Sequence, residues 1–332
     1  MKPIFLELTN NQQILQAAYH YHISSEADRS SFPQSESIVF REFITYLKSE
    51  GQNPIVEYQL EGNRLLIPFF HPLPIYIRDN PLYCLDFPRV ARIVAEKYAD
   101  LSVIDIGANV GDTLTLLRTS TSAPVLCIEG DTDYFEVLQK NAASFEAVYL
   151  KKALLGEHNE TLQGILTTER GTGFIETPDP STAASNQTLQ IQRLPDILAE
   201  FPQFQNAKLL KTDTDGFDYK ILKGASEWLD RAKPILFFEY SPYLLSQQSD
   251  EARALFPDLS AKGYTDLLFY DQLGFLLLSV AIENLELLED IYRYLMAKKT
   301  KNYCNVFAFH REDRDLFRAV KDSEIRFIET YS

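Results

Sequence analysis

The sequence is poor in cysteine and in basic residues, and it contains no long apolar run. Three cysteines among 332 residues lie far apart and form no Cys-x-x-Cys pair, so we expect reduced thiols, two of them in strand-like runs. Asp and Glu (47) outnumber Lys and Arg (32), and the formal charge of −15 disfavours nucleic acid, which would need clustered cations. The most apolar run, GFLLLSVAI at 274–282, is too short to cross a bilayer and predicts a buried strand.

Several common signals are also missing. The first residues, MKPIFLELTNNQQ, lack the sustained apolar core of a signal peptide. No HExxH zinc motif, nucleophile elbow or phosphate-loop pattern occurs in the chain. We therefore expect a globular, cytoplasmic protein that has neither a membrane nor a nucleic acid as its partner; the sequence does not indicate an oligomeric state.

The alternation of strand-like and helix-like segments from Leu101 onward predicts an α/β fold with a parallel sheet covered by helices on both faces. A polar stretch at 162–193 interrupts the alternation and predicts short extra strands with a mobile loop. The first 85 residues differ, because two helical segments precede a hairpin signal, IVEYQLEGNRLLIPF, and a proline-rich segment. We predict an N-terminal accessory or substrate-cap segment at 1–85 and a main domain at 86–332, whose first helix has Asp86 as N-cap.

The segment VIDIGANVGDT at 103–113 carries the most informative chemistry. An apolar strand enters a glycine-containing turn, as in nucleotide-binding α/β units, but Asp105 precedes Gly107 and would repel a dinucleotide pyrophosphate. The same carboxylate would attract a cation, and S-adenosyl-L-methionine carries a sulfonium and an ammonium and has no phosphate. Asn109 is tolerable in the turn because Asn adopts left-handed backbone more readily than other non-glycine residues, and Gly111 allows another close approach.

A second acid supports the same ligand. Glu129 ends the next strand-like run, VLCIEGD, where a carboxylate can accept both hydroxyls of a ribose. An ordinary turn followed by a helix with an N-terminal acid would explain Glu129 alone, but it explains the combination with the Asp105 turn less well.

Four segments together resemble the FkbM-type family of S-adenosyl-L-methionine-dependent methyltransferases: VIDIGANVGDT, CIEGDTDYFEVLQKN, LLKTDTDGFDYKILKGA and ILFFEYSP. The resemblance spans about residues 54–310. It implies a seven-stranded, Rossmann-like class I methyltransferase sheet with an antiparallel last strand, and methylation of hydroxyls on sugars and natural products. It also implies that four turn residues line the cofactor and that a carboxylate holds its ribose: Asp105, Gly107, Asn109 and Gly111, with Glu129.

The resemblance further places Lys211, Asp213, Asp215 and Gly216 on the family's Lys-x-Asp-x-acid-Gly motif, with Asp215 in place of the more usual Glu. Methyl transfer to a neutral hydroxyl calls for a general base. Candidates lie where ligands gather in such sheets, at the carboxyl ends of the fourth and fifth strands. Asp213 is our first candidate, as base or as a contact to the methionine end of the cofactor, and Glu239 is the second.

Other interpretations compete with these assignments. Asp213 and Glu239 could instead cap helices or pair with Lys211, and with their acidic neighbours they could hold a divalent cation, although we predict no metal site. A methyltransferase-like protein that binds without catalysis is one alternative function, and an NAD(P)-dependent oxidoreductase is another. The acceptor is expected to be a small molecule or a carbohydrate. His71 and Phe70, in the proline-rich segment, either contact this acceptor or only cover the sheet.

Overall fold

The computed structural model describes residue 5 and residues 8–169, 172–176, 187–248, 252–299 and 303–331. The chain divides into two compact units, Met1–Pro81 and Leu82–Ser332. The division lies close to the expected boundary after residue 85, while the cap function of the first segment stays a prediction. Across the described ranges, no helix combines the length and the apolar character needed to cross a membrane.

The first unit contains helices and a β-hairpin, as the sequence predicts. Its strands pair antiparallel, and the connecting residues Glu61 and Gly62 both have positive φ (47° and 79°), which is the conformation that a tight hairpin turn requires. Its elements have these bounds: α1 Gln12–Ile23, α2 Glu26–Arg29, α3 Gln34–Ser49, β1 Ile55–Leu60, β2 Asn63–Pro68 and α4 Leu73–Asp79.

The second unit is built on an eight-stranded sheet in the order β13-β12-β14-β11-β10-β3-β4-β5. The five strands from β11 to β5 are parallel, β14 is antiparallel to both of its neighbours, and β13 is antiparallel to β12. The strands have these bounds: β3 Val103–Ile106, β4 Val125–Glu129, β5 Val148–Lys152, β10 Leu209–Thr212, β11 Ile235–Tyr240, β12 Tyr264–Tyr270, β13 Leu276–Ala281 and β14 Cys304–His310. The predicted Rossmann-like α/β fold with an antiparallel last strand is confirmed.

A smaller sheet, in the order β6-β9-β7-β8, occupies the polar region between β5 and β10. Its strands have these bounds: β6 Leu154–Leu155, β7 Glu160–Glu169, β8 Thr172–Glu176 and β9 Gln187–Gln192. The extra strands predicted for this region are therefore present, whereas most of the expected mobile loop lies outside the described residues.

Helices pack against the main sheet, and the strands between them carry side chains buried on both faces. Alternate residues of β3 show this, because Ile104 and Ile106 belong to one apolar core and Val103 to another. The helices have these bounds: α5 Asp86–Lys97, α6 Asp112–Leu117, α7 Thr132–Ala142, α8 Leu194–Glu200, α9 Asp218–Gly224, α10 Ser226–Ala232, α11 Pro242–Gln248, α12 Leu255–Ala261, α13 Leu285–Lys298 and α14 Arg314–Tyr331.

Three details differ from the sequence expectations. The sheet has eight strands rather than seven, because the apolar run at 274–282 forms the extra edge strand β13, in which Leu277 is 56% exposed. Asp86 is the first residue of α5 rather than its N-cap, and its buried carboxylate accepts hydrogen bonds from the Phe87 N–H and the Asn305 amide. The long helix α14 follows the last strand and was not predicted.

The cysteines agree with the expectation of unpaired thiols. They form no disulfide; Cys127 and Cys304 are buried in β4 and β14, and Cys84 is half-buried just before α5.

Candidate active site

One row of residues crosses the carboxyl end of the parallel strands. The register pairs Ile106 with Ile128, and Thr212 with both Ile106 and Phe238, so the next residue along each strand falls in one row. That row contains Glu129, Gly107, Asp213 and Glu239, and it continues to Asn305, which pairs with Glu239. Residues in one row share a face of the sheet. The sheet thus aligns both base candidates with two of the predicted cofactor residues.

The turn after β3 depends on left-handed backbone. Gly107, Asn109 and Gly111 have φ of +77°, +47° and +87°, so Asn109 does adopt the conformation expected from its side chain. A Cβ on Gly107 would lie 2.0 Å from the carbonyl oxygen of Asp213, so only glycine fits where the two loops meet. The Asn141 amide, on α7, donates to the Val110 carbonyl at 2.7 Å and fixes the rest of the turn.

Glu129 is held by the turn that it faces. One carboxylate oxygen accepts the Asn109 N–H at 2.8 Å, and the other accepts the Asp131 N–H at 2.7 Å. Burial raises the pKa of Glu129, while these two donors favour its charged form. Because each carboxylate oxygen can accept two hydrogen bonds, capacity remains for a ligand on both.

Lys211 lies in β10, two residues before Asp213 of the end row, and is surrounded by carboxylates. Its ammonium is 3.1 Å from Asp105 Oδ1 and 3.5 Å from Asp213 Oδ2, and only 4% of the residue is exposed. Burial disfavours the charged lysine, but Asp105, Asp213 and Asp112 outweigh it and raise the Lys211 pKa. Burial likewise raises the pKa of Asp105, with Lys211 acting against it. Because Asp105 is fully buried, its charge depends on the counter-charge of Lys211.

Asp215 and Asp218 follow Asp213 closely in the chain, and Glu239 lies in the end row beside it. Thr212 donates to one Asp218 oxygen at 2.9 Å and the Gly216 N–H to the other at 3.3 Å, while burial raises the Asp218 pKa to about 6. Burial, together with Asp213, Asp215 and Asp218, raises the pKa of Glu239 well above its usual range. Asp215 has φ +53°. Asp is enriched in left-handed backbone, so the turn favours Asp at this position.

A cleft opens beside this row, with an empty volume of about 730 Å³ including space open to solvent. Asp213, Thr214 and Asp215 line one part of it, and the apolar wall includes Ile106, Ile128, Tyr134, Leu154, Leu155, Ile191, Phe217 and Ile221.

Four of the six predicted cofactor residues line this cleft: Gly107, Asn109, Glu129 and Asp213. Asp105 and Gly111 do not. Asp105 sits two residues before the end row and is covered by it, so it contacts Lys211 rather than the cleft, and Gly111 caps the start of α6 with left-handed backbone. Glu239 lies in the end row beside Asp213, outside the lining of the cleft.

Residues that the sequence did not single out also reach this region. The pKa values of Tyr83, Cys84 and Tyr303 are raised, first by burial and then by acids that include Asp213. Lys211 was recognised only through the family motif. Within the described part of the chain, no group of three or more His, Cys, Asp or Glu side chains is arranged to hold a metal ion.

The sheet order, the glycine-containing turn and the acid at the end of β4 define a Rossmann-like methyltransferase domain. Residues 105–265 match the family model described as the methyltransferase FkbM domain. The chain therefore carries a domain of the FkbM methyltransferase family, and the resemblance drawn from the four sequence motifs is confirmed. The search of curated proteins finds no match.

Solved structures show similar but remote chains. The methyltransferase FkbM from Methylobacillus flagellatus KT is 14% identical with a TM-score of 0.34, and the match covers 63% of this chain and 43% of that one. An O-methyltransferase from Bacillus cereus, in complex with S-adenosylhomocysteine, is 8% identical (TM-score 0.36; 68% and 80% covered). A putative O-methyltransferase from Klebsiella pneumoniae is 9% identical (TM-score 0.37; 68% and 79% covered). At these identities and TM-scores the likeness carries no residue assignment.

Proposed function

We propose that the protein is an S-adenosyl-L-methionine-dependent methyltransferase that methylates a hydroxyl on a sugar, a glycan or another natural product. The observation that carries the proposal is Glu129, at the carboxyl end of β4, where it faces the cleft with both carboxylate oxygens oriented by backbone N–H groups. The family of the domain supports methyl transfer, and the acid-rich site supports a ligand of positive charge.

The lining of the cleft suits the parts of S-adenosyl-L-methionine. Glu129 has acceptor capacity left for a ribose diol, and the apolar wall around Tyr134 and Leu154 suits a flat heterocycle such as adenine. Gly107 lets the turn approach the Asp213 carbonyl closely, because its Cα carries no side chain. Asp213 lines another part of the cleft, and its side chain is 44% exposed. It would contact the ammonium of the methionine portion of the cofactor. A dinucleotide would bring two phosphates toward these carboxylates instead.

Lys211 prepares the site without contacting the ligand. Its ammonium lies 3.5 Å from the Asp213 carboxylate, which it holds in place, and it neutralises part of the charge of the buried Asp105. In this proposal Asp105 acts on the site through Lys211.

Glu239 is the better placed base. The carboxylate of Asp213 is shared with Lys211 and is partly exposed to water, whereas burial and three aspartates raise the pKa of Glu239. A carboxylate with a raised pKa is a stronger base, and a general base contributes about 10²–10⁴-fold to rate. S-adenosyl-L-methionine supplies a methyl group whose bond to sulfur breaks as the bond to the acceptor oxygen forms. Glu239 would receive the hydroxyl proton, and Asp213 would bind the cofactor.

The acceptor belongs to the proposal as well. A hydroxyl acceptor accords with the resemblance to the family and with a carboxylate base at the end of the sheet. A small-molecule or carbohydrate acceptor, rather than a nucleic acid, accords with the charge of −15. The unpaired thiols accord with a cytoplasmic setting.

Thermal unfolding with separate additions of S-adenosyl-L-methionine, S-adenosylhomocysteine and NAD tests the cofactor. A ligand present at about one hundred times its Kd adds about 2.7 kcal/mol of stability, so the first two should raise Tm and NAD should not. A rise with NAD alone would favour an oxidoreductase. A rise with the methionine derivatives, without methyl transfer to any hydroxyl, would favour a binding protein.

A further inference from the structure

Two tyrosines from distant parts of the chain are hydrogen bonded beside the row of acids. The Tyr83 hydroxyl donates to the Tyr303 oxygen. Tyr83 lies just before α5, and Tyr303 just before β14.

The sheet register explains why Tyr303 lies near the base. Strand β14 runs antiparallel to β11, so β14 begins where the parallel strands end. Asn305 pairs with Glu239 on one face of the sheet, and Tyr303 lies two residues earlier, immediately before β14. On that face the Asn305 amide donates to Asp86 at 2.8 Å. This bond brings the start of α5, and Tyr83 just before it, to the same end of the sheet.

The electrostatic surroundings agree with this placement. Tyr303 interacts with Glu239 and with Asp213, and Tyr83 interacts with Asp213. Burial raises the pKa of both tyrosines, so both hydroxyls stay protonated and can donate at neutral pH. Both residues are half-buried, so they are not sealed inside the core.

We propose that Tyr303 binds the acceptor hydroxyl beside Glu239, and that Tyr83 is a positioning residue that orients the Tyr303 hydroxyl. The inference rests on the proposed function and extends it to the acceptor. Tyr303 donates a hydrogen bond to the acceptor oxygen while Glu239 receives its proton, so the reacting oxygen is held by one group on each side. Such a pair suits an uncharged hydroxyl compound, because the surrounding carboxylates would repel an anionic one.

The test uses the full-length chain, labelled S-adenosyl-L-methionine and three neutral probes: methyl α-D-glucoside, methyl α-L-rhamnoside and methyl β-D-galactoside. The variants are Tyr303→Phe, Tyr83→Phe and the double variant. Tyr264→Phe is the matched control, because its buried hydroxyl donates to the Pro234 carbonyl, at 2.9 Å, away from the row of acids. For each protein, kcat and KM for the best probe are measured, together with Tm and the calorimetric affinity for S-adenosylhomocysteine.

Tyr303→Phe should lower kcat/KM for the probe about tenfold, mainly through KM, because one hydrogen bond to the acceptor is lost. Affinity for S-adenosylhomocysteine should stay unchanged. Tyr83→Phe should have a smaller effect, and the double variant should be no worse than Tyr303→Phe, since Tyr83 acts through Tyr303.

A purely structural pair would behave like Tyr264→Phe, with a lower Tm and unchanged KM in the folded enzyme, and that result would overturn the inference. A wild-type protein that binds S-adenosylhomocysteine but methylates none of the probes would also overturn it, while leaving the cofactor assignment intact. Failure to bind S-adenosylhomocysteine would instead contradict the proposed function itself and remove the basis of this inference.

Discussion

Replacing Lys211 by methionine should expose how strongly the site depends on one buried cation. The Lys211 ammonium lies 3.1 Å from Asp105 and 3.5 Å from Asp213. At an effective dielectric constant of about 20, each attraction amounts to about 5 kcal/mol before desolvation is subtracted. Removing the lysine leaves Asp105 buried without its counter-charge, which typically costs about 3–5 kcal/mol. Lys211→Met should therefore reduce the free energy of unfolding by that amount at neutral pH.

The loss should depend on pH and on the partner. Without Lys211, the folded-state pKa of Asp105 rises further above its unfolded value, so the variant should lose stability as pH rises between those two values and recover it in acid. The double variant Asp105→Asn with Lys211→Met should recover much of the loss, because no charge is then left buried alone. Lys208→Met is the control, since that lysine donates only to the Ala232 carbonyl, at 2.6 Å, and should cost about 1 kcal/mol.

Urea unfolding of the wild type, Lys211→Met, Asp105→Asn, the double variant and the control Lys208→Met, at several pH values, gives the coupling energy directly. Additive losses in the double variant would refute the reasoning, as would a Lys211→Met variant no less stable than Lys208→Met. Calorimetry on Asp105→Asn adds a second check, because direct contact with the cofactor would weaken binding even where the fold and Lys211 are intact.

Four further substitutions should separate binding, catalysis and stability. Gly107→Ala places a Cβ 2.0 Å from the Asp213 carbonyl oxygen, at a residue with φ of +77°. In calorimetry the affinity for S-adenosylhomocysteine should therefore fall by at least about tenfold. Retained affinity would show that the two loops can separate. Glu239→Gln should lower kcat about 10²-fold with cofactor affinity retained, whereas Asp213→Asn should weaken cofactor binding; the opposite pattern would restore Asp213 as the base. Because the Asp218 pKa is about 6 when folded, against 3.8 for the isolated group, Asp218 alone should contribute a fall in wild-type stability of about 3 kcal/mol as pH rises from about 4 to 6. In urea unfolding Asp218→Asn should lack this fall, and parallel pH curves for the two proteins would contradict it.

The sequence predicted the strands of the main sheet because their apolar runs are short and end in turn residues. It also predicted the backbone of the turn, since Asn109 adopts the left-handed conformation for which its side chain is suited. The direct cofactor contact predicted for Asp105 stays a prediction; in the structure its carboxylate lies 3.1 Å from the Lys211 ammonium. The periodicity of VIDIG locates the strand but not its end relative to the neighbouring strands, and only the register shows that Gly107, rather than Asp105, lies in the end row.

Other parts of the site depend on pairing between distant segments. Tyr83 and Tyr303 are separated by most of the chain, and only the antiparallel insertion of β14 between β11 and β12 brings Tyr303 to the end of the sheet. The apolar run around Leu277 predicted a buried strand, yet it forms an edge, because apolar composition alone does not determine where a strand lies in the sheet order.

Calorimetric titration of S-adenosylhomocysteine into the wild type and the Glu129→Ala variant tests the central claim most directly. Glu136→Ala is the matched control, since Glu136 is exposed on α7. The wild type and the control should bind alike, and Glu129→Ala should bind at least about tenfold more weakly, because hydrogen bonds between the carboxylate and the ribose diol are lost. Equal affinity in all three proteins, or no binding by the wild type, would contradict the account.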